Sequence, residues 1–170
     1  CARVDSGQSV ALVSDAGTPM ISDPGYRLVR AAQATGVRVV PIPGACAAVA
    51  ALSASGLPSD RFLFAGFLPA RSAARQKRLS QLADEQATLV FYEAPHRLQE
   101  TLADLVQCLG GEREAVLARE LSKAFETIRR ASLADLIDFV AADGNQSRGE
   151  IVLLVAGSAA ADPDVDASLA

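Results

Sequence analysis

The 170-residue sequence predicts an α/β protein made of two α/β units. Three observations lead there. Short β-branched runs alternate with helix-length segments, turns rich in Gly and Pro separate them, and half of the residues are hydrophobic, which is ample material for a core.

In the first unit, residues 1–60, Val10–Ser14 (VALVS) is predicted as a strand ending in the turn Asp15-Ala16-Gly17-Thr18-Pro19. Ser22-Asp23-Pro24-Gly25 then predicts a helix start, with Asp23 as N-cap and Pro24 in the first turn, where a missing N–H costs nothing. Leu28, Val29 and Ala32 supply its inner face, and Gly36 ends it by taking a positive φ. A strand Val37–Ile42, a Pro43-Gly44 turn and an alanine-rich helix from Ala45 to Ser55 complete the pattern of a parallel unit. The predicted opening strand has no element before it and position 1 is Cys, so this unit is expected to lack an N-terminal segment with its first strand or strands.

The second unit, residues 61–157, is predicted to run strand Arg61–Phe67, helix Ser72–Ala83, strand Thr88–Tyr92, helix Pro95–Leu109, strand Glu114–Arg119, helix Leu133–Ala141 and strand Glu150–Ala156. Arg71, Arg75 and Arg78 fall on one stripe of its first helix, away from Leu79 and Leu82. The small, acidic end of the chain, from Gly157 onward and chiefly residues 158–170, is expected to be disordered.

Composition narrows the function classes. A net charge of -4 has the wrong sign for long stretches of nucleic-acid contact, so any RNA binding needs a local basic patch such as Arg71, Arg75, Lys77 and Arg78, or the pair Arg129 and Arg130. Cys1, Cys46 and Cys108 are widely spaced and accompanied by one histidine, which predicts neither a disulfide framework nor a metal site. The apolar runs fall short of the roughly 18 residues of a membrane span. No signal peptide is visible, and a reducing cytoplasm is the expected compartment.

Four stretches draw attention as chemistry. Asp15–Pro19 places small residues at the end of a predicted strand, where a ligand can approach the backbone closely; an ordinary strand-to-helix turn would look the same. Pro43–Ala48 does likewise at a helix start, with simple helix packing as its alternative. FYEAPHRL, residues 91–98, gathers polar groups between a strand and a helix, and its lone His96 reads as lining rather than catalytic. RELSKAFET, residues 119–127, mixes charges after a strand, as a solvated loop also would. A GxGxG loop is missing, so a Rossmann dinucleotide site has no support.

VSDAGTPMISDPG, PIPGACAAVAALSASGLPSDRFLFAGFLP, FYEAPHRL and RELSKAFETIRR, followed by GEIVLLV, resemble in order and spacing the tetrapyrrole-methylase-like family of S-adenosylmethionine-dependent methyltransferases, and within it the branch that modifies small-subunit ribosomal RNA. The resemblance implies the two-domain tetrapyrrole methylase fold, S-adenosylmethionine as cofactor, no metal, a homodimer, and methylation of a cytidine ribose 2′-hydroxyl. It implies cofactor contacts at Ala16, Gly17, Thr18, Ile21, Ala45, Cys46, Ala47, Tyr92, Ala94 and Ala118, with Cys46 standing where relatives usually have Ser. It implies RNA contacts at Arg97, Arg119 and Lys123. The catalytic base stays unassigned, with Lys123, if neutral, and Glu126 as candidates. A porphyrin-precursor methylase and an inactive RNA-binding or dimerisation module are the alternatives.

Overall fold

The computed structural model describes residues 2–158, except for the side chains of Ala2 and Asp5. It divides into two compact units, Cys1–Ala47 and Ala48–Ala170. The division falls before the alanine-rich helix, earlier than the boundary expected after residue 60. That helix and the turn after it bond within the second unit: the Ala48 amide donates to the Tyr92 hydroxyl, and Arg130 Nη1 donates to the Gly56 carbonyl.

The first unit holds helices α1 (Ala2–Asp5) and α2 (Tyr26–Ala34). Two expectations are corrected here. Val10–Ser14 and Val37–Ile42 form no strand pairing among the described residues, and Val13 and Ile42 are each 81% exposed. β-Branched residues favour a strand because they pack on a pleated, half-buried surface, and neither run has such a surface. Helix α2 begins at Tyr26 after Gly25, with no side-chain cap from Asp23. Gly25 adopts φ 137°, and a Cβ there would approach Leu12 Cδ2 to 2.8 Å, so the SDPG segment is a tight bend that only later becomes helical. The other end follows the sequence. Gly36 takes φ 75°, its amide donates to the Gln33 carbonyl, and Val37 donates to the Ala32 carbonyl, which is a Schellman closure.

The second unit contains α3 (Ala47–Ser55, its first residue at the division), β1 (Phe62–Phe67), α4 (Ser72–Ser80), β2 (Thr88–Glu93), a 3₁₀ turn (Pro95–Arg97), α5 (Leu98–Leu109), β3 (Glu114–Arg119), β4 (Thr127–Ser132), α6 (Leu133–Ala142), a second 3₁₀ turn (Gly144–Ser147) and β5 (Ile151–Val155). The sheet order is β1-β2-β5-β3-β4. β1 and β2 are parallel, joined by α4 as a crossover, and the remaining pairs are antiparallel. β1 carries a register shift between Phe64 and Gly66, where Gly66 has φ 65°. β5 lies mid-sheet and is buried along its whole length. Leu89, Phe91, Leu117 and Leu153 from the sheet meet Leu98, Leu102 and Leu105 of α5 and Leu133, Leu136 and Val140 of α6 in one core. Each such side chain contributes about 1.5–3 kcal/mol by leaving water.

β4 is absent from the sequence prediction. TIRRAS lacks an apolar alternation because β4 is an edge strand with largely exposed side chains, and it runs straight into α6. Ser132, its last residue, is also the N-cap of α6 and accepts a hydrogen bond from the Asp135 amide at 3.1 Å.

The predicted basic stripe on α4 is broken. Arg71, Lys77 and Arg78 are exposed, but Arg75 is fully buried. Its Nε donates to Asp104 Oδ2 at 2.6 Å, and Ser72 and Gln76 donate to the same carboxylate. Arg75 lies four residues before the buried Leu79, hence on the face of α4 turned toward α5. Burial pushes the Asp104 carboxyl up, but hydrogen bonds from Gln76, Arg75 and Ser72 outweigh that and hold it below the ordinary carboxylate range.

The expected tail is corrected at its start. Gly157 and Ser158 are docked: the Ser158 amide donates to the Glu85 carbonyl, and a Cβ at Gly157 would overlap the Gln86 carbonyl. Residues 159–170 of that tail lie outside the described residues.

Candidate functional site

In the first unit, two loops of small residues meet. Thr18 Oγ1 donates to the Ala45 carbonyl at 2.8 Å, and Gly17, at φ 78°, lies so close that a Cβ would stand 3.5 Å from the same oxygen. The 15–19 and 43–47 segments, 27 residues apart, are thereby held together, so Ala16, Gly17 and Thr18 share one region with Ala45, Cys46 and Ala47. Ala16, Gly17, Ala45 and Ala47 are exposed, while Thr18 and Cys46 are half-buried. Ile21 is 40% exposed between Met20 (φ 74°) and Ser22 (φ 56°). Non-glycine residues in this left-handed region each cost on the order of 1–2 kcal/mol, and such strain concentrates at functional loops.

In the second unit, the carboxyl ends of β1 and β2 carry an aromatic group. Tyr92 meets Phe64 and Phe67 edge-on, with ring centroids 4.9 and 5.7 Å apart. Its hydroxyl accepts from the Ala48 amide at 3.2 Å and so satisfies one of the orphan donors at the start of α3. The ring expected to line a cofactor also fixes the helix that follows the Pro43–Ala47 loop.

One residue on, Glu93 is buried and gathers four donors. Arg97 Nε and Nη2 reach Oε1 at 2.9 and 2.5 Å, the Ala94 amide reaches the same oxygen at 2.7 Å, and Thr101 Oγ1 reaches Oε2 at 2.6 Å. Arg97 Nη2 also donates to the Leu68 carbonyl at 3.2 Å. Glu93 ends β2, and the 3₁₀ turn Pro95–Arg97 leads straight into α5, which brings Arg97 and Thr101 to its carboxylate. Arg97, expected to hold RNA, therefore spends its guanidinium on shaping the FYEAPHR turn. Ala94 is half-buried within that turn, and His96 is exposed.

Ala118 is fully buried in the mid-sheet strand β3, paired with Val152 and Ile128. Arg119, next along, is 7% exposed. Its guanidinium donates to the Phe125 carbonyl at 2.9 Å, Thr127 Oγ1 at 3.2 Å, Gln146 Oε1 at 3.3 Å and the Arg148 carbonyl at 3.4 Å. Four internal acceptors occupy the group expected to hold RNA phosphate; its role here is to join two loops.

Lys123 donates to Glu120 Oε1 at 2.9 Å and Glu150 Oε2 at 3.0 Å. The hydrogen bond to Glu120, then that to Glu150, raises its pKa, while Lys123 in turn lowers that of Glu120. A lysine base must be neutral, so this environment acts against that candidacy. Glu126 accepts from the Ser122 amide at 2.6 Å. Among the described residues, no cluster of three or more metal-ligating side chains forms and no helix is long and apolar enough to cross a membrane.

Sequence reasoning missed the Tyr92 cap on α3 and the Glu93–Thr101 bond. The second had no helical spacing as a signal, because Glu93 ends strand β2. The first joins residues 44 apart and had none.

A parallel βαβ unit running into an antiparallel sheet, with small-residue loops and the FYEAPHR and RELSKAFE turns, defines a class. The Tetrapyrrole (Corrin/Porphyrin) Methylases family profile matches residues 1–137, and the chain belongs to this family. Among curated proteins it is similar to the ribosomal RNA small subunit methyltransferase I of Pseudomonas aeruginosa, at 66% identity over 91% of this chain and 55% of the relative. The Vibrio cholerae protein of the same name is 60% identical over 89% of this chain and 53% of the relative. The chain thus spans about half the length of the curated relatives it matches. Among solved structures it resembles the methyltransferase CobJ, with a TM-score of 0.68 at 23% identity over 93% of this chain and 68% of that one. It also resembles uroporphyrin-III C-methyl transferase from Thermus thermophilus complexed with S-adenosyl homocysteine, with a TM-score of 0.54 at 21% identity over 82% and 62%. At these identities the two structures speak for the fold.

Proposed function

We propose that this chain is part of an S-adenosylmethionine-dependent methyltransferase that modifies small-subunit ribosomal RNA, at the 2′-hydroxyl of a cytidine ribose. The observation that carries the reading is the 66% identity, across nine-tenths of the chain, to a protein named for that substrate. A porphyrin-precursor methylase would share the fold, but the similarity to solved members of that kind is far lower.

The small-residue loops of the first unit fit a nucleoside cofactor. They are exposed, nearly free of bulky side chains and braced against each other by Thr18. Ala16, Gly17, Thr18, Ile21, Ala45, Cys46 and Ala47 would hold it there, with Tyr92 and Ala94 as the proposed adenine-side residues. Ala118, inside the sheet of the second unit, is the remaining proposed cofactor residue. Bound S-adenosylmethionine supplies a methyl group already activated on sulfonium, leaving the protein to align the acceptor and take its proton. Lys123 has three donors and uses two in the structure, so it suits a phosphate contact better than a base. A homodimer in the cytoplasm completes the proposal.

The test is titration of S-adenosylhomocysteine into the chain, followed by transfer of labelled methyl to small ribosomal subunits and mapping of alkali-resistant linkages. Saturable binding with a resistant linkage at a cytidine is the expected result. Transfer to uroporphyrinogen instead would establish the tetrapyrrole alternative, and absence of cofactor binding would favour a non-catalytic module.

A further inference from the structure

The loop between β3 and β4 is built more rigidly than a solvated connection requires. Glu120 and Ser122 sit at φ 51° and 61°, and neither is glycine. The loop is tied on several sides to the segment before β5. The Glu120 amide donates to the Glu150 carbonyl, the Glu150 amide to Glu120 Oε1, and Lys123 bridges both carboxylates. Gly149 takes φ 79°, and a Cβ there would overlap the Glu120 carboxyl. The buried Arg119 guanidinium binds the carbonyls of both Phe125 and Arg148. This bracing fixes the backbone of the loop that carries Phe125, which is 75% exposed, and Lys123 in the same loop and Arg148 in the facing one are exposed as well.

An exposed phenyl ring on a braced loop, with cationic side chains in the two loops so joined, suits stacking of an unpaired base while the cations meet the backbone. We propose that Phe125 is a stacking platform for an unpaired nucleobase of the RNA substrate, held in place by the Arg119 bridge between the two loops. The proposal rests on the RNA-methyltransferase reading above and adds a contact that none of its expected site residues provides.

Because the chain has no tryptophan, Phe125→Trp installs a single tryptophan at the platform, whose emission is separable from that of the two tyrosines. Its fluorescence is followed while a single-stranded RNA of about ten nucleotides, or the matching duplex, is added. Single strands should quench the emission and duplex should not. Phe125→Ala should weaken single-strand binding by about 5- to 150-fold and Phe125→Trp should keep it, with S-adenosylhomocysteine affinity equal in all three proteins. Equal single-strand affinity in wild type and Phe125→Ala would overturn the platform and leave the RNA reading standing. Failure of the wild type to bind either RNA, with cofactor binding intact, would overturn both. Loss of a concentration-dependent dimer in Phe125→Ala, with RNA affinity unchanged, would instead assign the ring to a second copy.

Discussion

The two units put similar apolar sequences to opposite uses. VALVS and VRVVPI in the first unit are as β-branched as EAVLAR and IVLLV in the second, yet Val13 and Ile42 are 81% exposed while Val116 and Leu153 are fully buried. The difference lies in partners: β3 and β5 bond to each other and are covered by α5 and α6, whereas the first unit has no ladder among its described residues. Strand propensity becomes structure only where a neighbouring strand and a covering layer exist.

Substitutions should separate the units most clearly where the second is densest. Asp104→Ala leaves the Arg75 charge buried without its main partner and should cost about 3–5 kcal/mol in urea unfolding. Leu153→Ala, in the middle of the sheet, should cost about 2–5 kcal/mol. Ser132→Ala removes the α6 cap for about 1 kcal/mol. Val13→Ser, in the first unit, should stay within about 0.5 kcal/mol, because its side chain already faces water. A cost for Val13→Ser as large as that for Leu153→Ala would show that the exposed run is covered in solution and would dissolve the contrast.

Acid sharpens the same comparison. The Asp104 carboxyl is held below its ordinary value, so its contribution is fully present above about pH 3.9, the unfolded value, and is lost as pH falls through the lower folded value. The stability gap between wild type and Asp104→Asn should therefore be constant near neutrality and shrink on strong acidification. A gap that widened in acid would contradict the assignment.

Most of the second unit was legible in its residues. The strands at 62–67, 88–93, 114–119 and 151–155 lie where apolar runs placed them, because these strands are partly or wholly buried and their composition shows it. β4 was illegible because an edge strand with exposed arginines carries no apolar pattern. Arg75 looked solvated because a charge on a helix usually is, and only Asp104, 29 residues away, reveals otherwise. The loops of the candidate site were visible as motifs, but the use of Arg97 and Arg119 as internal braces depends on carbonyls that no side-chain pattern records.

The aromatic group around Tyr92 gives the protein a built-in optical label. With two tyrosines and no tryptophan, the chain's tyrosine signal divides between Tyr26, 62% exposed in the first unit, and Tyr92, clamped by Phe64 and Phe67 in the second. Tyr26→Phe leaves a tyrosine band that reports only the second unit, and Tyr92→Phe one that reports only the first, so the melting of each half can be recorded separately without attaching a dye.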